Sequence, residues 1–258
     1  MAETTTNDLR GFYENEYVRS FDNVCAPRLD DFMYMQVLRE LKKHLKPGMN
    51  VLDLGCNTGS ISFFIANAGC HVTGIDLARN AIEVCKKSAK CNNVTNATFS
   101  DMDFVNEWDM PQAFDLVFCN HVIEHIPDDV AFLKSIAFAL KDDGYLVLLT
   151  PTVHSSMYRV NKLLYGKFGY DEYVGHLRRY SRKTASAIFA ESGFLIDNVS
   201  YLDSMLREWL FLFKPLRMAR GIFAKRYIRQ AFNTIDLILA KYLFPATICL
   251  VARLEKPE

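Results

Sequence analysis

The chain has 258 residues, half of them hydrophobic, and its 30 basic side chains are balanced by 30 acidic ones. This length and composition can bury one large core, which favours one α/β domain with additions over two independent domains. A net charge of zero gives no overall field that attracts nucleic acid, so we expect no nucleic-acid partner. The seven scattered cysteines lack a Cys-x-x-Cys spacing, and the first residues lack a basic and apolar leader. We therefore expect a reduced, cytoplasmic protein.

The elements expected along the chain alternate between helices and strands. Residues 1–27 are polar with scattered aromatic side chains and predict an arm that packs on the domain. A helix is expected over 28–45, where apolar side chains recur near helical spacing. Five short apolar strands follow, at residues 51–54, 69–76, 97–100, 114–119 and 145–150. Continuous apolar strands that alternate with helices are typical of a parallel sheet covered on both faces, so we predict a doubly wound, Rossmann-like α/β fold.

The pattern changes after Pro151. Residues 152–180 are rich in aromatic and basic side chains, and a helix (182–192) and a strand (194–201) are expected next. Residues 205–244 combine apolar clusters with eight basic and two acidic side chains before a final apolar strand over 247–252. We interpret 152–180 and 205–244 as cap insertions on the substrate side.

The first strand runs directly into a tight turn, Gly55-Cys56-Asn57-Thr58-Gly59, and a helix is expected beyond it. Such a junction commonly binds a nucleotide-like ligand, because glycines let the backbone approach closely and the helix start presents unpaired N–H groups. A dinucleotide dehydrogenase needs Gly-x-Gly-x-x-Gly at this point, and the turn does not have that spacing. A glycine turn can also be a turn and nothing more.

Six motifs in order resemble one family. They are Val51–Gly59, Gly74-Ile75-Asp76, Asp101, Phe114–Val117, Val122–Asp128 and Gly175-His176-Leu177-Arg178-Arg179-Tyr180. Together they resemble the class I S-adenosylmethionine-dependent methyltransferases, within the small-molecule group that includes ubiquinone-biosynthesis O-methyltransferases. The resemblance covers residues 30–202 and 246–254. It implies a mostly parallel seven-stranded sheet with an antiparallel last strand, a methyltransferase domain over 28–258, and S-adenosyl-L-methionine as cofactor.

The resemblance also implies a cofactor site. This cofactor has an amino acid end but no phosphate, so the turn needs an acid, and Asp53 suits that role. Asp76 would accept the ribose hydroxyls, Asp101 the adenine amino group, and Asn57 replaces the usual glycine, which asparagine can do because it tolerates positive φ. Asp76 and Asp101 can alternatively be helix N-caps. The cofactor-binding residues so implied are Asp53, Gly55, Cys56, Asn57, Gly59, Asp76, Leu77, Asp101, Met102, Asn120 and His121.

Methyl transfer is an in-line displacement, so a side-chain base is required only when the nucleophile stays protonated near neutral pH. The catalytic candidates are Glu124, His125 and His176. In ubiquinone-type relatives the pair that matches Glu124-His125 has been linked to metal. This chain has no further carboxylate immediately upstream, so we expect no metal. The alternative for Glu124 and His125 is that they order the loop, and for His176 a structural role.

The cap segment 205–244 gives the best indication of the acceptor. Its apolar clusters beside basic side chains fit a small or lipid-like molecule, or peripheral contact with an anionic membrane surface. They equally fit a helical cap with solvated arginines. The aromatic side chains of 157–180 also suit a saccharide acceptor. A cofactor-binding scaffold without activity is the alternative from another functional class, and the oligomeric state stays open.

Overall fold

The computed structural model describes residues 23–167, 169–212 and 225–255. A seven-stranded sheet with the order β3-β2-β1-β4-β5-β7-β6 forms its centre. The strands are β1 (Asn50–Leu54), β2 (His71–Asp76), β3 (Ala97–Asp101), β4 (Phe114–Asn120), β5 (Leu140–Pro151), β6 (Phe194–Leu202) and β7 (Thr247–Leu254). Neighbouring strands are parallel except that β7 is antiparallel to both β5 and β6. The predicted fold class, with its antiparallel last strand, is confirmed.

Helices cover both faces of this sheet. They are α1 (Met35–Lys42), α2 (Ser60–Asn67), α3 (Arg79–Cys91), α4 (Phe104–Glu107), α5 (Asp129–Ala139), α6 (Ser156–Tyr165), α7 (Gly169–Val174), α8 (Arg182–Glu191), α9 (Met205–Leu212) and α10 (Arg226–Tyr242). One apolar core joins the sheet to α5 and α8, and a second joins its other face to α1 and α2. Among the helices described, none is long and apolar enough to cross a membrane.

The first predicted helix is wrong at its start. We expected it over 28–45, but α1 covers only Met35–Lys42, and turns precede it. The Asp31 carboxylate accepts a hydrogen bond from the Met33 backbone N–H at 2.9 Å. An aspartate bonded in this way to the backbone two residues on competes with the helical hydrogen bonds, which explains the delayed start.

Strand order places the site. β1 lies between β2 and β4, so the chain leaves β1 in one direction and later returns on its other side. In open α/β sheets, ligands bind beyond the carboxyl ends of the strands at such a switch point. The register aligns Asp76 with Asp101 across β2 and β3, and Leu54 with Cys119 across β1 and β4. The candidate residues that end these strands therefore lie along one edge.

The described part of the cap is attached through a buried arginine. Arg207 on α9 donates from Nε to Asp236 of α10 at 2.9 Å and from Nη1 to the Phe32 carbonyl oxygen at 2.6 Å. The Asp236 carboxylate also accepts from Ser204 and is fully buried. This buried ion pair connects α9, α10 and the segment before α1. Residues 213–224 of the predicted cap lie outside the described residues.

Only the end of the predicted arm is described. The Val24 backbone N–H donates to Ser88 Oγ at 2.9 Å, and Asn92 Nδ2 donates to the Val24 carbonyl oxygen at 2.8 Å. These bonds attach the chain to α3, beside the switch point. Residues 1–22 lie outside the described residues, so an arm over 1–27 distinct from a domain over 28–258 stays a prediction.

Candidate cofactor and acceptor site

A cavity of about 730 Å³ opens at the carboxyl ends of β1, β2 and β4. Most of the predicted cofactor residues line it: Asp53, Gly55, Cys56, Asn57, Asp76, Leu77, Met102, Asn120 and His121. Two of the predicted catalytic residues, His125 and His176, line the same cavity. One space therefore brings together residues that the sequence analysis assigned to two different roles.

The glycine turn curves around the floor of this cavity through left-handed backbone. Gly55, Asn57 and Gly59 have φ angles of +75°, +53° and +84°. Asparagine is one of the few residues with a Cβ that occupies this region readily, so Asn57 keeps the turn. A Cβ on Gly55 would lie 2.2 Å from Val122 Cγ2. Glycine is thus required where the turn passes the segment after β4.

Asp76 is fixed at the end of β2 by backbone donors. Its Oδ2 accepts from the Asn57 N–H at 2.8 Å, and its Oδ1 accepts from the Ala78 N–H at 2.9 Å. Burial raises the pKa of this carboxyl group, and the two backbone bonds oppose that rise. Each carboxylate oxygen can accept a further hydrogen bond, so the fixed carboxylate fits a ribose diol.

The amino acid end of the cofactor has a matching pair of acceptors. Burial raises the pKa of Asp53 to about 7, an effect opposed by a hydrogen bond from Ser62 Oγ and increased by the charge of Asp76. Asn120 Oδ1 is buried and has no hydrogen-bond partner among the described residues. No cationic side chain pairs with Asp53 in the part of the chain that the structure describes, and Asp53 and the unsatisfied Asn120 oxygen line the same cavity. A buried carboxylate and a free amide oxygen in one cavity fit a bound ammonium group.

Three predicted residues lie outside the cavity lining. Asp101 is exposed at the end of β3, and Asp103 lines the cavity instead while capping α4 through the Val105 N–H at 3.1 Å. Gly59 is the N-cap residue before α2, with a φ of +84°, and its role is in the turn geometry. Glu124 is fully buried behind the histidines.

Glu124 organises the histidine wall, the side of the cavity lined by His121, His125 and His176. Its Oε1 lies 3.0 Å from His121 Nδ1, and its Oε2 accepts from Thr150 Oγ1 at 3.0 Å. Although burial alone raises the pKa of Glu124, the adjacent His121 lowers it overall. Conversely, burial lowers the pKa of His121, but the hydrogen bond and charge of Glu124 raise it overall. His121 has a φ of +57°, an unusual conformation for histidine, so the backbone is strained where the two walls meet.

The two remaining histidines, His125 and His176, are in direct ring contact. The rings of His125 and His176 are 4.9 Å apart, edge to face. His125 Nδ1 lies 3.1 Å from the Gly175 carbonyl oxygen, an acceptor only, so this nitrogen carries the proton. Burial lowers the pKa of His125, which keeps the ring neutral. One ligand atom from each of Glu124, His125 and His176 lies within 4.8 Å of the others, so the three have the spacing to hold an ion.

Residues 28–199, about two thirds of the chain, match a family model described as a methyltransferase domain. The chain belongs to the class I S-adenosylmethionine-dependent methyltransferases. The cavity fits the cofactor of this family at its sugar and amino acid ends.

Individual relatives agree with this family assignment. The ubiquinone biosynthesis O-methyltransferase of Haemophilus ducreyi is 36% identical over 107 residues, covering 40% of this chain and 45% of that protein. The mitochondrial ubiquinone biosynthesis O-methyltransferase of Schizosaccharomyces pombe is 37% identical over 121 residues, covering 46% of this chain and 43% of that protein. The similarity therefore spans less than half of each of these relatives.

Solved structures extend the likeness in fold to nearly the whole chain. The crystal structure of the cyclase SpnF superposes with a TM-score of 0.67 and 15% identity, covering 98% of this chain and 97% of that one. At this identity the likeness concerns the fold alone. A neighbour named for cyclisation also illustrates that the acceptor side of a methyltransferase fold must be interpreted from its own residues.

Sequence reasoning missed several residues of the site. Tyr34 and Val174 line the cavity, Asp171 contacts His176, and Arg179 contacts Asp171. The only signal for Arg179 was its place in the motif that contains His176. Nothing in the local pattern singles out Asp171, an acid on a short polar helix.

Proposed function

We propose that the chain transfers the methyl group of S-adenosylmethionine to a heteroatom of a small or lipid-like molecule. The heteroatom proposed is a hydroxyl oxygen. One observation carries the proposal. A single cavity extends from the carboxylates that fit the cofactor, Asp53 and Asp76, to the histidines that can accept a proton, His125 and His176.

The cofactor wall, formed by the turn after β1 and the strand ends that carry Asp53, Asp76 and Asn120, binds and orients the cofactor. Asp53 and Asn120 would accept hydrogen bonds from its ammonium group, Asp76 would accept from its ribose, and Leu77 and Met102 would pack against its base. When bound, S-adenosylmethionine supplies a methyl group already activated by the sulfonium. Because the electrophile is activated in advance, orientation of the acceptor oxygen accounts for much of the rate.

The histidine wall activates the acceptor. Nε2 of His176 accepts the proton of the hydroxyl group as the oxygen forms its bond to the methyl carbon. The bond between that carbon and the sulfonium would break in the same step, with the neutral thioether as the leaving group. Glu124, buried and ionised, stabilises positive charge on the adjacent imidazoles through its contact with His121. A positioned base of this kind contributes about 10²- to 10⁴-fold to the rate.

The acceptor class rests on two supports. The relatives named above are ubiquinone biosynthesis O-methyltransferases. In addition, Val122, Ile126 and Val174 line the cavity around the histidines, and an apolar lining with a few polar groups suits an aromatic ring that carries hydroxyl groups. We therefore propose a phenolic hydroxyl group as the acceptor.

An acceptor panel tests this proposal. The full chain is incubated with S-adenosylmethionine and a catechol, a catechol with a short prenyl chain, or a set of free sugars, and release of the thioether product is measured. We expect transfer to the catechols, fastest with the prenyl chain. Transfer to sugars alone would favour the saccharide alternative. Cofactor binding by calorimetry without transfer to any acceptor would favour the scaffold.

The partner proposed for the cap is an anionic membrane surface, the source of a lipid-like acceptor. Helix α10 has its polar side chains Asn233 and Asp236 buried, whereas Ile235, Ile238 and Tyr242 are 51%, 55% and 70% exposed. An apolar stripe that faces outward, with Lys241 beside it, matches the pattern of helices that lie in a membrane interface.

Vesicle sedimentation tests the membrane contact. The full chain is mixed with vesicles of phosphatidylcholine, alone or with phosphatidylglycerol. We expect binding to the anionic vesicles, and a reduction of about tenfold in the variant with Ile235→Ser and Ile238→Ser, because both side chains lose apolar burial. Phe138→Ser on α5, at 48% exposure, is the matched control. Equal, negligible binding by all proteins would remove this proposal.

A further inference from the structure

Helix α7 contacts His176 mainly through Asp171, whose backbone carbonyl oxygen accepts from the His176 N–H at 2.8 Å. It has six residues, and none of them is buried. The Asp171 side chain nevertheless points inward and is 16% exposed. Its Oδ1 lies 2.8 Å from His176 Nδ1. Of the side chains on this short surface helix, Asp171 is the one that makes a hydrogen bond to the His176 ring among the described contacts, while the Tyr170 ring lies edge to face with it at 6.2 Å.

This contact decides which nitrogen of His176 is protonated. An ionised carboxylate only accepts hydrogen bonds, so Nδ1 must donate and Nε2 keeps its lone pair. The Asp171 carboxyl is ionised because, although burial raises its pKa, hydrogen bonds from His176 and Arg179 lower it overall. Nε2 lies on the other edge of the ring, 3.9 Å from Glu124 Oε1, beyond hydrogen-bond distance.

Arg179 in turn fixes the carboxylate. Its Nε donates to Asp171 Oδ2 at 2.9 Å, and its Nη2 donates to Oδ1 at 2.7 Å, a two-pronged arrangement. The guanidinium group lies 5.0 Å from the ring centre of Tyr158 and is nearly buried. Such a planar fork holds a carboxylate in one orientation better than a single bond does.

We infer that Asp171 is a positioning residue that holds His176 as the Nδ1–H tautomer and aims Nε2 at the acceptor, with Arg179 orienting the carboxylate. The inference rests on the proposed function for its effect on turnover. Its structural part concerns the tautomer and does not depend on any acceptor. Asp171 touches neither cofactor nor acceptor in this account, so its substitution acts through His176.

The tautomer of His176 is the direct test. Nitrogen-15 NMR distinguishes the two neutral tautomers of imidazole, and the chain has only six histidines, so His176 can be assigned by comparison with His176→Gln. We expect Nδ1–H in the full wild-type chain. In Asp171→Asn the amide group can donate to Nδ1, so we expect Nε2–H to become the main form. A wild-type His176 protonated mainly at Nε2, or an Asp171→Asn spectrum that equals wild type, would overturn the inference.

Kinetics with the prenyl catechol supply the second readout. Asp171→Asn should lower kcat about 10²-fold, the lower range for loss of a positioned base, with cofactor Kd changed less than about twofold. The loss should not add to that of His176→Gln in the double variant. Additive losses would mean that Asp171 acts elsewhere. If His176→Gln keeps full turnover, the proposed base is wrong, and the NMR result still decides the positioning role.

Matched variants separate positioning from folding. Glu172→Gln makes the same carboxyl to amide change one residue away on α7, where Glu172 pairs with Lys167 at an exposed position. It should leave the His176 tautomer and kcat unchanged. Asp171→Glu should recover part of the Nδ1–H tautomer. If Asp171→Asn does not fold, Arg179→Lys replaces the fork with a single donor, and we expect a smaller shift in the same direction. An unchanged tautomer in Arg179→Lys would contradict the inference.

Discussion

The two walls of the cavity are built in different ways. The cofactor wall consists of strand ends and the turn after β1, and backbone N–H groups fix its main acid, Asp76. The histidine wall joins the segment after β4 to the region of α7, about 50 residues further along, through side chains: His125 contacts the Gly175 carbonyl, and His176 contacts Asp171. The first wall is therefore set by the sheet, whereas the second depends on a few polar side-chain contacts.

This difference teaches where variation can occur. A wall made of strand ends cannot change without changing the sheet, so it suits the group that never varies, the cofactor. A wall made by side chains of exposed loops and short helices can change its chemistry without affecting the core. Substitutions in the first wall should thus alter cofactor binding, and those in the second should alter turnover.

Gly55→Ala should have the largest effect, because it deforms the cofactor wall itself. Its Cβ would lie 2.2 Å from Val122 Cγ2 at a φ of +75°. We expect the free energy of unfolding to fall by about 3 kcal/mol, from strain and overpacking together. Urea unfolding measures it.

Gly166→Ala is the matched control for Gly55→Ala. Gly166 has a φ of +71° with nothing within 4 Å of an added Cβ. Only the backbone strain applies, so a decrease of about 1 kcal/mol is expected. Adding Val122→Ala to Gly55→Ala should recover the difference between the two. Equal decreases in both single variants would show that the close approach of Val122 is unimportant.

Asp76→Asn should raise the cofactor Kd about 100-fold, because two hydrogen bonds to a charged acceptor weaken at once. Asp101→Asn is the matched control. Asp101 is the register partner of Asp76 on β3, and the exposed Asp101 side chain lies outside the cavity lining. We therefore expect the cofactor Kd of Asp101→Asn to stay within about twofold of the wild-type value. Calorimetry measures both values. A large rise for Asp101→Asn would support the adenine role that the sequence implies, and none for Asp76→Asn would contradict the ribose assignment.

Cofactor affinity should depend on pH through Asp53. Burial first, and then the charge of Asp76, raise the pKa of this carboxyl to about 7 despite the hydrogen bond from Ser62. The ammonium group binds the ionised form, which is lost as pH falls through that pKa. The cofactor Kd should rise about eightfold from about pH 7.5 to about pH 6. Asp53→Asn should bind weakly with little pH dependence, and a flat wild-type profile would contradict the assignment.

Removal of metal ions by a chelator should not change turnover, and this is the smallest of the expected effects. Both oxygens of Glu124 already contact protein groups, His121 and Thr150, at 3.0 Å. These two contacts already give the buried carboxylate partners within the protein, so it needs no ion to satisfy it. We therefore expect turnover with the prenyl catechol to be unchanged after EDTA treatment. A loss that Mg²⁺ or Zn²⁺ restores would show that the three residues hold a metal.

The two walls also differ in how far the sequence predicts them. The strands and the glycine turn carry local signals, since apolar runs and left-handed positions depend on neighbouring residues. The start of α1 was missed because one Asx turn at Asp31 outweighs helical periodicity. Asp171 and Arg179 could not be assigned, because the contacts of Asp171 with His176 and with Arg179 exist only once residues 152–180 have folded.

The cap shows the same limit in another form. Its apolar clusters are plain in the sequence, but which side of α10 faces outward is not. The buried pair of Arg207 and Asp236 turns the polar side inward, and this pairing joins residues 29 positions apart on two helices. Helical periodicity alone predicts the opposite orientation.

The central claim is that one wall binds the cofactor and the other drives the chemistry. His176→Ala tests it most directly, with cofactor Kd by calorimetry and kcat by thioether release measured on the same preparation. The account predicts a Kd within about twofold of wild type and a kcat lower by about 10²-fold. An unchanged kcat, or a loss that lies entirely in cofactor affinity, would contradict it.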